Sequence, residues 1–360
     1  MLEAVAMSGG VDSSVAALLR ARDGALVVGL TMKLWDPPCD EPGSRKACCT
    51  ADHAADALRV CQKLSIPHYV LDLRDEFRRD VVDPFVEAYL VGRTPNPCVA
   101  CNTRMKWDSL MDRASELGCA VLSTGHYARI ADGPDGPALL RGRDSAKDQS
   151  YFLWGIPRKL LPNTRFPLGD LDKPTIRALA AEAALPTARK SESQDICFVP
   201  GGDYRDLVRT ERPEAALLAP GPIVGPEGIP LGTHQGLASY TLGQRRGVQV
   251  AWKEPLYVVG IDPVRNELRL GRADELLVDG LEIEETNWLV DSPEAIDGAM
   301  VQVRYRGEPH PCRVEEVEGG TARIRLLQPI SSPAPGQSMV VYKDDRVLGG
   351  GILRDSSRIV

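Results

Sequence analysis

A strand, a glycine pair and a helix at the start of the chain constrain the fold more than any other feature. The apolar stretch LEAVAM (2–7) predicts a buried strand, and Ser8-Gly9-Gly10 follow it directly. We expect a helix to begin at Asp12 or Ser13, and the apolar run ALVVGLTM (25–32) to form a second strand. A strand, a sharp glycine turn and a helix in this order are typical of a parallel α/β sheet.

The same alternation continues through the N-terminal half. HYVLDL (68–73) and AVLSTG (120–125) predict two further strands, and Pro174 suits the first turn of a helix that ends near Leu185. Two other helices are expected to have one apolar face each: Ala54, Leu58 and Cys61 on a helix over 51–64, and Trp107, Leu110, Met111, Ala114 and Leu117 on a helix that Gly118 ends.

After Phe198 the pattern changes from helical to alternating, and glycine and proline become frequent. Gly319-Gly320 and 343–345 predict hairpin turns. We therefore predict an α/β domain over 1–204, small β-rich structure over 205–274, and a β-barrel or sandwich over 275–360. In VQVRYRG (301–307) and TARIRLL (321–327), the outward faces would carry Gln302, Arg304, Arg306, Arg323 and Arg325, and the inward face of the first would carry Val301, Val303 and Tyr305.

The Ser8-Gly9-Gly10 turn has the chemistry of an anion site. Two glycines let the backbone approach a ligand closely, and the N–H groups and dipole of the following helix attract negative charge. The Gly-Lys-Ser/Thr ending of the P-loop is missing, so kinase or GTPase chemistry is not expected. Since the loop has no lysine, we expect a divalent cation, Mg²⁺, to neutralise bound phosphates. An ordinary glycine turn is the alternative.

Length and composition limit the number of domains and the cellular compartment that can be expected. Its 360 residues, 43% of them hydrophobic, suffice for two or three domains. No stretch approaches the roughly 20 apolar residues of a membrane span, and residues 1–15 lack the layout of a signal peptide. We expect a cytoplasmic protein that does not contact membranes and whose nine cysteines stay reduced. The net charge of −7 argues only weakly against a polyanionic partner, which needs a local basic patch.

The stretch TPNPCVACNTRMKW (94–107) places Cys98 and Cys101 three positions apart. They are metal ligands, a redox pair, or a catalytic thiol with a neighbour, and a lone CxxC is a weak metal signal. Cys39, Cys48 and Cys49, with His53 nearby, suggest zinc, but thiols without a role are the preferred interpretation because adjacent cysteines are awkward tetrahedral ligands. Cys61, Cys119 and Cys312 lie in apolar patterns and are expected in the core.

Six motifs together carry a resemblance to a known family. SGGVDS (8–13) resembles the PP-loop of the ATP pyrophosphatase superfamily, which cleaves ATP between its α and β phosphates. The whole set is similar to the bacterial tRNA 2-thiouridylases, which replace the O2 oxygen of uridine 34 in tRNA anticodons with sulfur. The similarity runs from the first strand to GQSMVVY (336–342). The five further motifs are GRTPNPCVACN (92–102), STGHYAR (123–129), KDQSYFL (147–153), SESQDICFVPGGDY (191–204) and HQGLASYTLGQRRG (234–247).

The resemblance implies a PP-loop domain of the adenine nucleotide α-hydrolase-like type, a central β-rich domain and a C-terminal β-barrel. It implies ATP as cofactor, with the pyrophosphate held by the loop. The nucleotide-binding residues would be Ala6, Met7, Ser8, Gly9, Gly10, Val11, Asp12, Ser13, Ser14, Met32 and Gly125.

The family's chemistry gives roles to two cysteines. The uridine O2 attacks the α-phosphorus of ATP, and AMP then becomes the leaving group at C2. Cys197 would carry a persulfide received from a cysteine desulfurase or a sulfur-relay protein. Cys101 would attack it to release hydrosulfide, or the persulfide would attack C2 directly. Either route ends in a Cys101–Cys197 disulfide that needs external reduction.

Cys98 departs from the family pattern, since many relatives carry Asp at this position. It could help Cys101 by lowering its pKa. It could also join Cys101 and Cys197 as the third thiolate of an iron–sulfur cluster. The interpretation as nucleophile and helper is preferred, and no resident metal ligand is predicted.

The partner implied by the resemblance is a tRNA with uridine 34, of the Lys, Glu and Gln acceptors. Uridine 34 lies in a loop and can enter a pocket without melting a duplex. The four outward arginines form either a phosphate track or ordinary solvated surface. His126 could alternatively be a packed core histidine. The implied tRNA contacts are Asn96, Pro97, His126, Lys147, Asp148, Gln149, Arg304, Tyr305 and Gln337.

Two rival hypotheses remain. Another PP-loop ATP-pyrophosphatase ligase acting on a small molecule would explain the loop, but it would give no role to Cys101, Cys197 or the β domains. An RNA-binding module with a decayed nucleotide fold would be expected to have a broken loop, whereas residues 8–14 are intact.

Overall fold

The computed structural model describes residues 1–36, 51–191, 196–199 and 203–357. The chain divides into two compact units, which are described one at a time. The first comprises Met1–Val82, Pro97–Gly202 and Asp345–Val347, and the second comprises Asp83–Asn96, Asp203–Asp344 and Leu348–Val360. Among the described residues, no helix is long and apolar enough to cross a membrane.

A parallel sheet forms the centre of the first unit. Five strands pair in the order β3-β2-β1-β4-β7, and β5 and β6 form an antiparallel hairpin beside it. Ala4, Val5 and Leu30 are buried, as expected for central strands that helices cover on both faces. The strands of this unit are β1 (Leu2–Ala6), β2 (Leu26–Lys33), β3 (His68–Asp72), β4 (Cys119–Ser123), β5 (Ala128–Gly133), β6 (Gly136–Arg141) and β7 (Thr164–Arg165).

Helices pack on this sheet through apolar faces, with Val15, Ala57 and Ile176 in one core. The predicted parallel α/β fold is confirmed. Eight α-helices are described in the chain, of which α4 and α8 belong to the second unit: α1 (Val11–Arg22), α2 (Ala51–Leu64), α3 (Arg74–Phe77), α4 (Asp83–Tyr89), α5 (Pro97–Ala100), α6 (Met111–Glu116), α7 (Lys173–Glu182) and α8 (Tyr204–Glu211). The segments Arg78–Val82 and Cys101–Leu110 are π-helical.

The helix α2 has the predicted bounds but a different buried face. His53, Ala57 and Val60 are buried, whereas Leu58 is 42% exposed. The inward positions follow the spacing of three and four that begins at His53. The prediction that Leu58 faces the core is therefore wrong.

The predicted helix over 107–117 is part of a continuous helix in which the π-helical segment Cys101–Leu110 lies between α5 and α6. Trp107, Leu110 and Ala114 are buried as expected, but Leu117 is 40% exposed. Leu117 is the residue that follows α6 and has a non-helical ψ of 3°, so it lies past the last helical turn. Gly118, at a φ of +80°, ends the helix as predicted.

The second unit is mainly antiparallel. A four-stranded sheet has the order β10-β11-β8-β9, and six strands in the order β12-β15-β14-β13-β16-β17 close into a barrel through the β12–β17 pairing. The barrel interior holds Leu281, Val301 and Ile324. The strands are β8 (Gly221–Val224), β9 (Pro230–His234), β10 (Tyr257–Asp262), β11 (Glu267–Gly271), β12 (Leu277–Trp288), β13 (Met300–Gln302), β14 (His310–Glu318), β15 (Thr321–Ser331), β16 (Ser338–Lys343) and β17 (Arg346–Ser357).

Two predictions for this half need correction. Tyr204–Glu211 is the helix α8, begun by Asp203, whose side chain accepts from Arg205 N; β-structure begins later, at Gly221. The strand predicted over 301–307 ends at Gln302, which is buried rather than outward. Arg306 has a φ of +59°, a turn conformation that a continuing strand cannot contain.

Candidate active site

A cavity of about 380 Å³ opens in the first unit at the carboxyl ends of β1, β2 and β4. Ligands of open parallel sheets bind at this edge. Residues of the glycine loop and the motif cysteines both line this cavity. The lining residues are Ala6, Met7, Ser8, Asp12, Ser13, Leu30, Thr31, Met32, Leu34, Phe77, Pro97, Cys98, Cys101, Asn102, Lys106, Thr124, Gly125, His126, Gln149, Phe152, Ile196, Cys197 and Phe198.

The glycine loop turns sharply between β1 and α1. Gly9 has a φ of +68°, and a Cβ there would lie 2.3 Å from the carbonyl oxygen of His53, so only glycine fits. The hydroxyl of Ser13 accepts from the backbone N of Ser8 at 3.2 Å. Ser14 is buried, and its Oγ donates to the Gly10 oxygen at 2.7 Å, so that this hydroxyl stabilises the loop itself. Helix α1 begins at Val11, slightly earlier than predicted.

Gly125 brings the end of β4 against the loop. A Cβ at this position would come within 2.8 Å of Asp12 C and Ser13 N. No real side chain tolerates so short a distance to backbone atoms. Gly125 therefore allows β4 and the first turn of α1 to form one continuous wall of the cavity.

Two lysines from distant parts of the chain reach the loop, although the loop itself has none. Lys173 Nζ donates to both carboxylate oxygens of Asp12, at 2.8 and 2.9 Å, and Tyr127 OH donates to the same carboxylate at 2.7 Å. Lys190 Nζ donates to the Gly9 oxygen at 3.0 Å and pairs with Asp56 at 2.6 Å. Both ammoniums are paired with carboxylates, Lys173 with Asp12 and Lys190 with Asp56, and the predicted need for Mg²⁺ stays a prediction.

The described residues do not form a protein-built metal site. Asp12, the carboxylate of the loop, is committed to Lys173. Within the described ranges, no group of three or more His, Cys, Asp or Glu side chains is arranged to hold a metal ion. The three-thiolate cluster of Cys98, Cys101 and Cys197 accordingly gains no support from this geometry. Cys39, Cys48 and Cys49 lie outside the described residues, and the zinc hypothesis for them is untested.

The motif cysteines form another part of the cavity wall. Cys98 is exposed, and Cys101 and Cys197 are partly exposed. Cys98 lies in α5, Cys101 begins the π-helical segment, and Phe198, next to Cys197, packs edge to face on Phe77 at 5.5 Å. The structure therefore places the three thiols at the same cavity as the glycine loop.

Sequence reasoning missed a polar cluster between the loop and the thiols. Lys106 Nζ donates to Asn102 Oδ1 at 2.8 Å and lies 3.1 Å from His126 Nε2. His126 Nδ1 lies 2.6 Å from Thr124 Oγ1. Lys106 belongs to the quoted cysteine stretch, but a single sequence gives no signal that its side chain turns into the cavity.

His126 is a neutral, buried member of this cluster. Burial lowers its pKa well below the usual value, and the positive charge of Lys106 lowers it further. Since an ammonium can only donate, His126 Nε2 accepts from Lys106, and Nδ1 carries the proton and donates to Thr124. The rings of Trp107 and Phe166, at 5.9 and 6.0 Å, exclude water around it.

The predicted RNA loop at 147–149 is held by its acidic residue. The Asp148 carboxylate accepts from Arg141 at 2.9 Å, Gly142 N at 2.9 Å and Ser150 Oγ at 3.0 Å. Gln149 Oε1 accepts from Tyr127 N at 3.0 Å, and this residue lines the cavity. Asp148 therefore shapes the loop, while Lys147 is partly exposed.

The predicted RNA contacts of the second unit have different surroundings. Arg304 is exposed and Tyr305 partly exposed, in the turn after β13. Gln337 Nε2 donates to the Thr94 oxygen at 2.7 Å, and Asn96 is partly exposed. The predicted strand face with four arginines is wrong, because Arg304 and Arg306 lie in the turn after β13 and not in a strand.

Arg323 and Arg325 do face outward from β15, but glutamates balance them. Arg323 pairs with Glu316 at 3.3 Å, and Arg325 pairs with Glu315 at 3.6 Å. A phosphate track along β15 is therefore weakened by its own carboxylates.

The core cysteines are placed as predicted. Cys61, Cys119 and Cys312 are buried. Burial raises the pKa of Cys61 to about 11 and that of Cys312 to about 12. Their thiols stay protonated at neutral pH and are poor nucleophiles.

The parallel sheet, the glycine loop and the cavity at the carboxyl edge define an α/β protein of the nucleotide-binding HUP class. A family model described as "tRNA methyl transferase HUP domain" matches residues 3–201. Models described as "tRNA methyl transferase PRC-barrel domain" and "Aminomethyltransferase beta-barrel domain" match residues 213–272 and 278–353. Each of these models covers one domain only.

The full-length relatives identify the family. The chain is 49% identical over 350 residues to a protein of Chloroflexus aurantiacus, covering 96% of both chains. It is 46% identical to a protein of Geobacter metallireducens, covering 96% of this chain and 95% of the relative, and 46% identical to one of Thermus thermophilus, covering 97% and 94%. Each relative is named "tRNA-specific 2-thiouridylase MnmA". The chain belongs to this family, as the resemblance predicted.

Proposed function

We propose that this protein uses ATP to replace the O2 oxygen of uridine 34 in tRNA with sulfur, in the cytoplasm. One observation carries the proposal: a single cavity of the first unit is lined by both the glycine loop and the cysteines Cys98, Cys101 and Cys197. An enzyme that activates an oxygen with a nucleotide and then delivers sulfur needs both groups at the same substrate atom. The full-length family match supports the same reaction.

ATP is proposed to lie along the carboxyl edge of the sheet. Leu30, Met32 and Phe77 offer an apolar wall for the adenine. The pyrophosphate would sit at Ser8, Asp12 and Ser13, where the N–H groups and the dipole at the start of α1 favour an anion. The ammoniums of Lys173 and Lys190 lie beside the same loop, each paired with a carboxylate. The roles of Ala6, Met7, Gly9, Gly10, Val11, Ser14 and Gly125 in nucleotide binding are part of the same proposal. Mg²⁺ would arrive with the phosphates of ATP, because the described residues do not form a metal site of their own.

Sulfur transfer is assigned to two thiols. Cys197 would carry the persulfide, whose outer sulfur comes from a cysteine desulfurase or a relay protein. Attack of the Cys101 thiolate on the Cys197 sulfur forms the disulfide and releases hydrosulfide, which bonds to C2 as AMP leaves. An external thiol reductant then restores both cysteines. Cys98 is proposed as a helper of Cys101.

The tRNA contacts stay a proposal that involves both units. Pro97, His126, Lys147, Asp148 and Gln149 belong to the first unit. His126 and Gln149 would approach the target base, since both line the cavity. The candidates of the second unit are Asn96, Arg304, Tyr305 and Gln337.

The test separates adenylation from sulfur transfer. Cys101→Ser and Cys197→Ser should each abolish 2-thiouridine formation while tRNA-dependent pyrophosphate release survives, because that step needs no thiol. Cys197→Ser should also fail to accept labelled sulfur from the donor, whereas Cys101→Ser should still be loaded. Cys312→Ser, a buried thiol of the barrel, is the matched control and should keep sulfur transfer.

Two results would contradict the proposal. AMP and pyrophosphate formation without added tRNA would favour a ligase for a small molecule. Full 2-thiouridine formation by the Cys197→Ser variant would remove the persulfide step.

A further inference from the structure

Lys106 is a positively charged residue of the cavity wall to which the proposed function gives no role. Its ammonium contacts two neutral acceptors, Asn102 Oδ1 and His126 Nε2, and no carboxylate among the described residues. An ammonium has three donors. Two of them are used by these contacts, which leaves one N–H and the whole positive charge for a ligand. Partly burying a charge without a counter-ion is costly, so an anion that enters this cavity is favoured here.

The neighbours of Lys106 orient its ammonium group but do not neutralise its positive charge. Asn102 Nδ2 donates to the Phe152 oxygen at 3.1 Å, which turns Oδ1 toward the ammonium. His126 is held neutral with its proton on Nδ1, and Nε2 is thereby kept as an acceptor. The two acceptors aim the lysine without neutralising it.

A series of contacts places Lys106 between the loop and the thiols. Gly125 touches the backbone of Asp12 and Ser13. The next residue, His126, contacts Lys106, which contacts Asn102, the neighbour of Cys101 in the chain. The residues at both ends of this series line the same cavity. Lys106 therefore lies on the path between the proposed pyrophosphate site and the proposed sulfur nucleophile.

The π-helical segment makes this arrangement possible. In an α-helix of 3.6 residues per turn, positions five apart point about 140° away from each other. A π-helix bonds residue i to i+5 and brings such positions nearly above one another. Cys101 and Lys106 are five apart in the π-helical segment, and both line the cavity.

We propose that Lys106 binds the α-phosphate of the adenylated uridine and stabilises AMP as it leaves, an inference that rests on the proposed function. When the uridine O2 bonds to the α-phosphorus, the bond to pyrophosphate breaks. When sulfur then bonds to C2, the C2–O2 bond breaks, and its electron pair leaves with AMP. The phosphate changes from a diester with one negative charge to a monoester with two. An aimed ammonium stabilises that additional charge.

The experiment compares two ligands that differ only in the phosphate. Binding of AMP and of adenosine is measured by calorimetry for the full-length protein and three variants. The wild type should bind AMP more tightly than adenosine. Lys106→Gln should lose AMP affinity on the order of 10- to 100-fold, the size expected for one charge-assisted hydrogen bond, and keep its adenosine affinity. Lys106→Arg should recover part of the preference.

Arg104→Gln is the matched control, since Arg104 belongs to the same π-helical segment and is exposed. It removes the same charge and should leave both affinities unchanged. Equal losses of AMP and adenosine affinity in Lys106→Gln, or an unchanged preference for AMP, would overturn the assignment to the phosphate. A wild type that binds the two ligands equally would overturn it as well.

Failure of this proposal is distinguishable from failure of the proposed function. If the wild type releases pyrophosphate only with tRNA while Lys106→Gln keeps its full AMP preference, the proposed reaction is supported and the proposed role of Lys106 is contradicted. If the wild type shows no tRNA dependence, the proposed function itself fails.

Discussion

Asp12 is held from two sides, which fixes what its carboxylate can do. Lys173 occupies both oxygens, and the Tyr127 hydroxyl donates to one of them. The Lys173 side chain is 11% exposed, so water screens this pair only in part. The carboxylate positions the first turn of α1 and balances a lysine. A metal ion that used Asp12 as a ligand would have to displace Lys173.

A residue-scale prediction concerns His126 and pH. Burial beside the rings of Trp107 and Phe166, and then the positive charge of Lys106, lower its folded-state pKa. It therefore stays neutral, while an unfolded chain binds a proton below about pH 6.5. Stability from this residue is therefore complete above pH 6.5. It falls by about 1.4 kcal/mol per pH unit as the pH decreases toward the folded-state pKa.

The measurement is the free energy of urea-induced unfolding from pH 8 to pH 5. His126→Gln should remove a large share of the loss that the wild type shows below pH 6.5. His68→Gln is the comparison, because burial lowers the pKa of His68 too. This variant should remove only the part of the stability loss that comes from His68. Parallel curves for the wild type and His126→Gln would show that His126 does not titrate as described.

The contact between β4 and α1 is the element-scale feature on which the cavity depends, and Gly125→Ala tests it. Its Cβ would lie 2.8 Å from two backbone atoms of α1. We expect a loss of stability of about 1–3 kcal/mol, typical of overpacking, together with weaker AMP binding. Gly260→Ala is the control, because its Cβ would meet only the Arg269 side chain, at 3.5 Å. Equal unfolding midpoints and AMP affinities in the two variants would contradict this account.

The elements that were predictable are those whose signal lies within one segment. The strands β1 to β4 and the helix α7 follow from apolar runs and from a first-turn proline. The helix α8 was not predicted, because the frequent glycines and prolines after Phe198 led to an expectation of β-structure, although Asp203 is of a residue type that caps helices.

The rest of the site depends on contacts between distant residues. A single sequence has no pattern for a π-helix, so the common face of Cys101 and Lys106 was not predictable. Lys173 and Lys190 reach the loop from more than 160 positions away. The cysteine and glycine motifs were recognisable because family resemblance names them, whereas the lysines that contact the loop carry no motif.

At the scale of the whole molecule, charge distribution decides where an RNA can be held. The chain has a net charge of −7, so phosphates need places where arginines are not balanced. On the barrel, Arg323 and Arg325 have glutamate partners. Arg304 is exposed in the turn after β13, and the described residues give it no ion pair. This difference separates a candidate phosphate contact from charged surface.

Arg304→Ala and Arg325→Ala should therefore differ in their effect on tRNA binding. Loss of an arginine that contacts a phosphate lowers the slope of log affinity against log salt by about 1 and weakens binding most at low salt. Arg304→Ala should show this change. Arg325→Ala should leave the slope nearly unchanged, because its charge is already balanced by Glu315. Binding to one unmodified tRNA is measured between 50 and 200 mM salt. An unchanged slope in Arg304→Ala would assign this arginine to ordinary surface, and a reduced slope in Arg325→Ala would restore β15 as a phosphate track.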